Sequence, residues 1–186
     1  MEQTGEHRIA APRVRVWAAL NDPDVLKRCI DGCEELSRSG DAAFHAVVRA
    51  KIGPVSAAFT GDVTLKDLDP PNGYTLEISA VGGAAGFARG AARVSLTDDG
   101  DATLLAYTAE GRVGGKLAQV GQRLIDAAAR KTADDFFEAL ARELGPEADV
   151  GARAASSARS SRLLLWAGFA AVIVALGLLA WRLIGG

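Results

Sequence analysis

The chain has 186 residues, 21 of them basic and 23 acidic, and is 49% hydrophobic and 24% charged, enough for one ordinary domain and an appendage but not for two domains. Its near balance of charge lacks the basic excess of a nucleic-acid binder, and two cysteines cannot build a disulfide framework. A mean hydropathy of +0.12 is high for a soluble chain of this size, and the excess is concentrated at the C-terminus.

In chain order, an N-terminal strand is followed by a first short helix opened by Pro12 and carrying Val16, Trp17 and Leu20. Asn21-Asp22-Pro23 ends that helix and caps a second, predicted to run to about Ile30. Turn signals at Ser39-Gly40-Asp41, Gly53-Pro54, Asp69-Pro70-Pro71-Asn72-Gly73 and Asp98-Asp99-Gly100-Asp101 then separate alternating stretches. Phe44 to Ile52 alternates. Val55, Ala57, Phe59, Gly61, Val63 and Leu65 alternate against Ser56, Ala58, Thr60, Asp62, Thr64 and Lys66, and Tyr74, Leu76 and Ile78 continue the pattern. A period of two gives each strand one apolar and one wet face. Further strands are predicted near 87–97 and 102–113, and short hairpin links make the sheet antiparallel. A long helix is predicted from Gly115 to Leu144, with Leu117, Val120, Gly121, Leu124 and Ala128 as a first apolar stripe. A second, rotated stripe runs from Ala129 to Leu144.

Residues 1–144 thus read as one α+β domain with 17 basic and 21 acidic side chains. Small residues (Ala46, Ala50, Ala57, Gly61, Ala80, Ala92, Ala109, Gly111) face the space between sheet and helix. They imply either a tight alanine-rich core or a void suited to an apolar ligand. Residues 145–162, rich in Ala, Ser, Gly and Arg, read as a flexible linker. Residues 163–184 read as a membrane anchor. Leu163 to Trp181 is uncharged, bounded by Arg162 and Arg182, and as a helix would be about 28 Å long against a hydrocarbon core of about 30 Å. The N-terminus lacks a signal-peptide core. Arg153, Arg159 and Arg162 before the run, against Arg182 after it, place the folded domain on the cytoplasmic face.

No arrangement of catalytic residues emerges. His7 and His45 are expected on polar-facing strand positions, and Cys29 and Cys33 lack zinc-site spacing and read as free thiols. Gly82 to Gly90 has neither a dinucleotide fingerprint nor a phosphate-loop ending and is expected to form a mobile flap, with an exposed Phe87, at a cavity mouth. Gly114-Gly115 is expected to act as the hinge of the long helix.

With this order of elements the chain resembles the helix-grip fold of the START-like (SRPBCC) superfamily, a curved seven-stranded antiparallel sheet wrapped on a long C-terminal helix. More narrowly, LNDPDVLKRCIDGCEEL (20–36), GPVSAAFTGDVTLKDLDPPNGYTL (53–76), GGAAGFARGAARVSL (82–96) and VGGKLAQVGQRLIDAAARKTADDFF (113–137) resemble the CoxG family of carbon monoxide dehydrogenase. Asp31 stands before Gly32 where relatives often carry proline. The resemblance implies a non-catalytic accessory protein. Its partner would be a cytoplasmic molybdenum-containing carbon monoxide dehydrogenase, or a related xanthine-oxidase-type hydroxylase, recruited to the inner membrane. Its cavity would hold a quinone such as menaquinone or ubiquinone, with no covalent cofactor. On that reading Phe59, Val63, Leu65, Leu76, Ile78, Tyr107, Leu117, Val120 and Leu124 line the cavity, Phe87 sits at its mouth, and Tyr107 meets a headgroup carbonyl. Two rivals stay open: an adaptor with a filled core, and a cyclase- or hydrolase-like enzyme of the same superfamily.

Overall fold

A computed structural model describes residues 2–145; the linker and anchor expected from 145–162 and 163–184 lie outside these residues, apart from Gly145. The elements run β1 (Glu2–Ile9), α1 (Arg13–Ala19), α2 (Pro23–Cys29), β2 (Cys33–Gly40), β3 (Ala43–Ile52), β4 (Val55–Asp69), β5 (Gly73–Val81), β6 (Phe87–Asp99), β7 (Ala102–Gly114) and α3 (Gln122–Glu143), with 3₁₀ turns at Gly83–Ala85 and Gly115–Val120. The strands form one curved antiparallel sheet in the order β1-β7-β6-β5-β4-β3-β2. Strands β2 to β7 pair as successive hairpins, and α1 and α2 carry the chain from β1 at one edge to β2 at the other.

The alternating sequences set which face is covered. Val63 lies opposite Ile78, and Leu65 opposite Leu76, all four buried. Strand β2 is less regular, with its register against β3 shifting between Cys33 and Glu35 and again between Arg38 and Gly40. Two polar contacts fix the crossover. The Asp22 carboxylate accepts the backbone N–H groups of Asp24 and Val25 and so caps α2, and the buried Thr103 hydroxyl donates to the Ala11 carbonyl at 2.7 Å. Trp17 of α1 meets Tyr74 of β5 edge-on, with ring centroids 5.7 Å apart.

Helix α3 begins seven residues later than expected, because Gly115–Val120 winds as a 3₁₀ turn and Gly121 takes φ +96°. That backbone conformation suits glycine and interrupts helical hydrogen bonding. It also resets the phase. The predicted first stripe does not exist as one face: Leu117 is buried, Val120 half-buried and Leu124 52% exposed. Instead one stripe of Ile125, Ala129, Ala133, Phe136, Phe137 and Leu140 is buried along the whole helix. The break is at Gly121, not at Gly114-Gly115. Phe136 turns toward Val48 and Ile52 on the β3 side, while Phe137 stacks on His7 of β1 at 4.1 Å, so the helix straddles the sheet. Its far end is held to α2 by the Arg28 guanidinium, which donates to both Glu143 carboxylate oxygens at 2.8 and 3.1 Å.

This phase predicts opposite outcomes for two leucines of one helix. Leu140→Ala, at a site with no exposure, should cost about 2–5 kcal/mol, whereas Leu124→Ala should stay within about 0.5 kcal/mol. Urea denaturation of the two variants measures both.

Candidate functional site

The side of the sheet facing α3 is divided by side-chain size. Across β4 and β5 it carries Phe59, Val63, Leu65, Leu76 and Ile78, all buried. Across β6 and β7 the same rows shrink. Ile78 is followed by Gly90 and Gly111, and Leu76 by Ala92 and Ala109. The helix above supplies Ile125 and Ala129, with Leu117 from the preceding 3₁₀ turn. Seven of the ten expected site residues (Phe59, Val63, Leu65, Leu76, Ile78, Tyr107 and Leu117) belong to this one buried cluster, and Val120 packs against it partly exposed.

Two do not. Leu124 points to solvent, because Gly121 rotated the start of the helix. Phe87 lies on the opposite face of the sheet, since its neighbour Ala88 is the buried one. Its ring covers Gly114, where any Cβ would collide with it, and carries the Arg89 guanidinium 5.5 Å from its centroid. Nor is Gly82 to Gly86 a flap. The Gly82 N–H donates to the Gly86 carbonyl at 2.8 Å, Ala85 is buried, and a Cβ on Gly82 would sit 2.5 Å from the Phe59 ring. Gly82 and Gly86 are there because backbone meets ring and backbone at close range, and Gly83 because its φ is +56°.

At the β1 edge the inner face becomes polar. Gln3, Gly5, His7 and Ile9 share a face at spacing two, so His7 points inward, not to the polar side as expected. The Tyr107 ring rests over Gly5, where a Cβ would lie 2.5 Å from Cε1, and stacks on Phe137 at 5.5 Å. His7 completes the stack, 6.1 Å from Tyr107. Gln3, Gly5, His7 and Tyr107, with Arg130 and Asp134 of α3, border a cleft of about 390 Å³. Burial pushes His7 below its ordinary value of 6.5, against the opposing charge of Asp134. Burial also raises the Tyr107 phenol, Asp134 adds to the rise, and a hydrogen bond from Gln3 works against it. Tyr107 therefore remains a hydroxyl, and Gln3, 9% exposed, keeps a buried Oε1 without a hydrogen-bond partner. Neighbouring inward parity from Ile9 was the sequence signal for this group; the polar side chains masked it.

A second opening, about 510 Å³, runs between β3 and α3 over Val48, Ile52 and Phe136, rimmed by Lys51, Lys131 and Asp135. Cys29 is a free buried thiol raised by burial to about 11, and Cys33 is free and half-buried. Among the described residues no group of three His, Cys, Asp or Glu side chains could hold a metal, and no helix is long and apolar enough to cross a membrane.

The His7 stack gives a pH test. The folded state resists protonation at residue 7, so the unfolded chain binds more protons in the region just below 6.5, and stability there falls as pH drops until the folded His7 also titrates. His7→Phe keeps a flat ring in the stack and should flatten that part of the profile, read as the urea midpoint between about pH 5 and 8.

The solved structures share the fold. A conserved protein from Geobacillus kaustophilus is 30% identical, with TM-score 0.73 over 77% of this chain and 95% of its own. A START superfamily protein from Mycobacterium smegmatis is 15% identical, with TM-score 0.58 over 77% and 96%. A protein from Chromobacterium violaceum is 14% identical, with TM-score 0.60 over 79% and 99%. Among curated proteins none matches. The family model for the carbon monoxide dehydrogenase component CoxG matches residues 5–145, which is the whole of the sheet beyond Thr4, all three helices and both 3₁₀ turns. On that extent of match, the chain belongs to the CoxG family of carbon monoxide dehydrogenase, on a START-like fold.

Proposed function

We propose that this chain is a membrane-tethered, non-catalytic accessory protein that holds a long apolar ligand and couples a cytoplasmic enzyme to the inner membrane. The ligand is a respiratory quinone, menaquinone or ubiquinone, bound without covalent attachment between the small-residue half of the sheet and α3. The enzyme is a molybdenum hydroxylase of the carbon monoxide dehydrogenase type. The family match over residues 5–145 carries this reading. The uncharged run from Leu163 to Trp181 supports the tether, and the Gly90, Ala92, Ala109 and Gly111 patch supports an apolar guest.

The physical need is plain. A prenyl tail exposes many CH₂ groups to water at about 0.8 kcal/mol each, so a soluble enzyme gains access to it through a sheltered carrier. The Tyr107 hydroxyl and the unpartnered Gln3 Oε1 stand among the polar groups at the rim of that inner face, with His7, Arg130 and Asp134. Tyr107 would donate to a headgroup carbonyl.

A second reading, the adaptor with a filled core, draws support from the tight packing of Gly82 on Phe59. The two part on one experiment. Organic extraction of the full chain purified from membranes should yield a quinone near one per chain. Ala109→Phe, which fills the patch, should lose that quinone while keeping co-purification with the dehydrogenase. Recovery of no quinone, with no uptake on adding it back to a folded protein, leaves the adaptor.

A further inference from the structure

A sheet built of successive hairpins sends alternate turns to opposite ends, and this chain sorts charge between them. The turns β2–β3, β4–β5 and β6–β7 lie at one end and carry Asp41, Asp67, Asp69, Asp98, Asp99 and Asp101. The turns β3–β4 and β5–β6 and the exit from β7 into α3 lie at the other. Residues 51–56, 79–90 and 111–125 at that end contain no acidic side chain. They contain Lys51, Arg89, Arg112, Lys116 and Arg123, all exposed. Arg89 and Arg112 lie directly opposite each other on neighbouring strands, a like-charge pair that concentrates positive potential. None of the five is ion-paired among the described residues; the salt bridges fall on other residues.

The same end shows apolar side chains to solvent on both sides of the sheet. Val81 is 58% exposed on the outer face and Leu124 52% on the helix side. Val120 and Leu124 close over the Gly53 turn, within reach of a Cβ placed there. Val14 and Leu68, the other exposed large apolar residues, lie toward the acidic end. Exposed cations without ion-pair partners, set beside exposed apolar side chains, match an anionic bilayer surface, where each nearby Lys or Arg strengthens binding about fivefold.

We infer that the Gly53, Gly82–Gly86 and Gly115–Leu124 end of the domain docks on an anionic lipid surface, with the aspartate-rich end turned away from it. Chain length permits this pose. α3 starts at the basic end and leads the chain away from it over about 33 Å. The 18 residues from Gly145 to Arg162 can reach about 60 Å at full extension, so a chain held at Leu163 can still lay its basic end on the bilayer. The inference does not depend on a bound quinone.

The test uses the full chain reconstituted in vesicles, in a Cys29→Ala, Cys33→Ala background with an environment-sensitive fluorophore at Gln119→Cys or Asp101→Cys, and shallow spin-labelled lipid as quencher. Co-sedimentation with phosphatidylcholine vesicles reports the tether separately. With about one-third phosphatidylglycerol, quenching at 119 should exceed quenching at 101 several-fold. It should fall to the level of 101 in pure phosphatidylcholine, in high salt, and in Lys116→Glu/Arg123→Glu. Circular dichroism of each variant confirms its fold. Equal quenching at the two positions, or quenching at 119 indifferent to lipid charge and to the reversal, would overturn the inference. So would a reversal that abolishes capture of an acidic protein or of RNA while leaving lipid quenching intact.

Discussion

The burial of one continuous stripe of α3 against a single face of the sheet is the interaction on which everything else in the domain rests. Six residues from Ile125 to Leu140 are removed from water along this seam, at about 1.5–3 kcal/mol for each large apolar side chain. Phe136 and Phe137, adjacent in sequence, reach the β3 side and the β1 edge of the sheet respectively, so the one stripe spans most of its width. The β3 groove, the His7 and Tyr107 stack, and the patch of glycine and alanine under the helix are all consequences of where that seam runs. A helix shifted by one position would take Phe137 off the His7 and Tyr107 rings on which it stacks.

Much of this architecture could be read from residue order, and for a clear reason. Val55 to Leu65 alternates without interruption, so its face, its pairing and its antiparallel sense follow from period two alone. The departures come where local signals do not determine phase. Gly121 looks like any other glycine on paper, and only its φ of +96° shows that helical winding restarts there. That one angle moved Leu124 from the inside to the outside. Phe87 follows a loop whose length in space is not its length in sequence, so the parity of β6 could not be carried across from β5. In β1 the inward residues Gln3, Gly5 and His7 are as polar as their outward neighbours, leaving no contrast to read.

Charge was legible as a total and not as an arrangement. A domain with 17 basic and 21 acidic side chains looks indifferent to an anionic surface when only the net is taken. Hairpin geometry changes the answer, because sequence neighbours across a turn share an end while consecutive turns do not. Asp98, Asp99 and Asp101 gather with Asp67 and Asp69 although some thirty residues separate them, and Arg89 meets Arg112. The resulting polarity is a property of topology imposed on an unremarkable composition.

The flanking strand β2 slips register twice in eight residues and turns Glu34, Glu35, Ser37 and Ser39 outward. An unpaired row of N–H and C=O groups invites a neighbouring chain to add a strand, and bulges with acidic side chains spoil the template. An irregular border of this kind lets copies of the domain stay separate at high concentration, where a straight border would seed polymer growth.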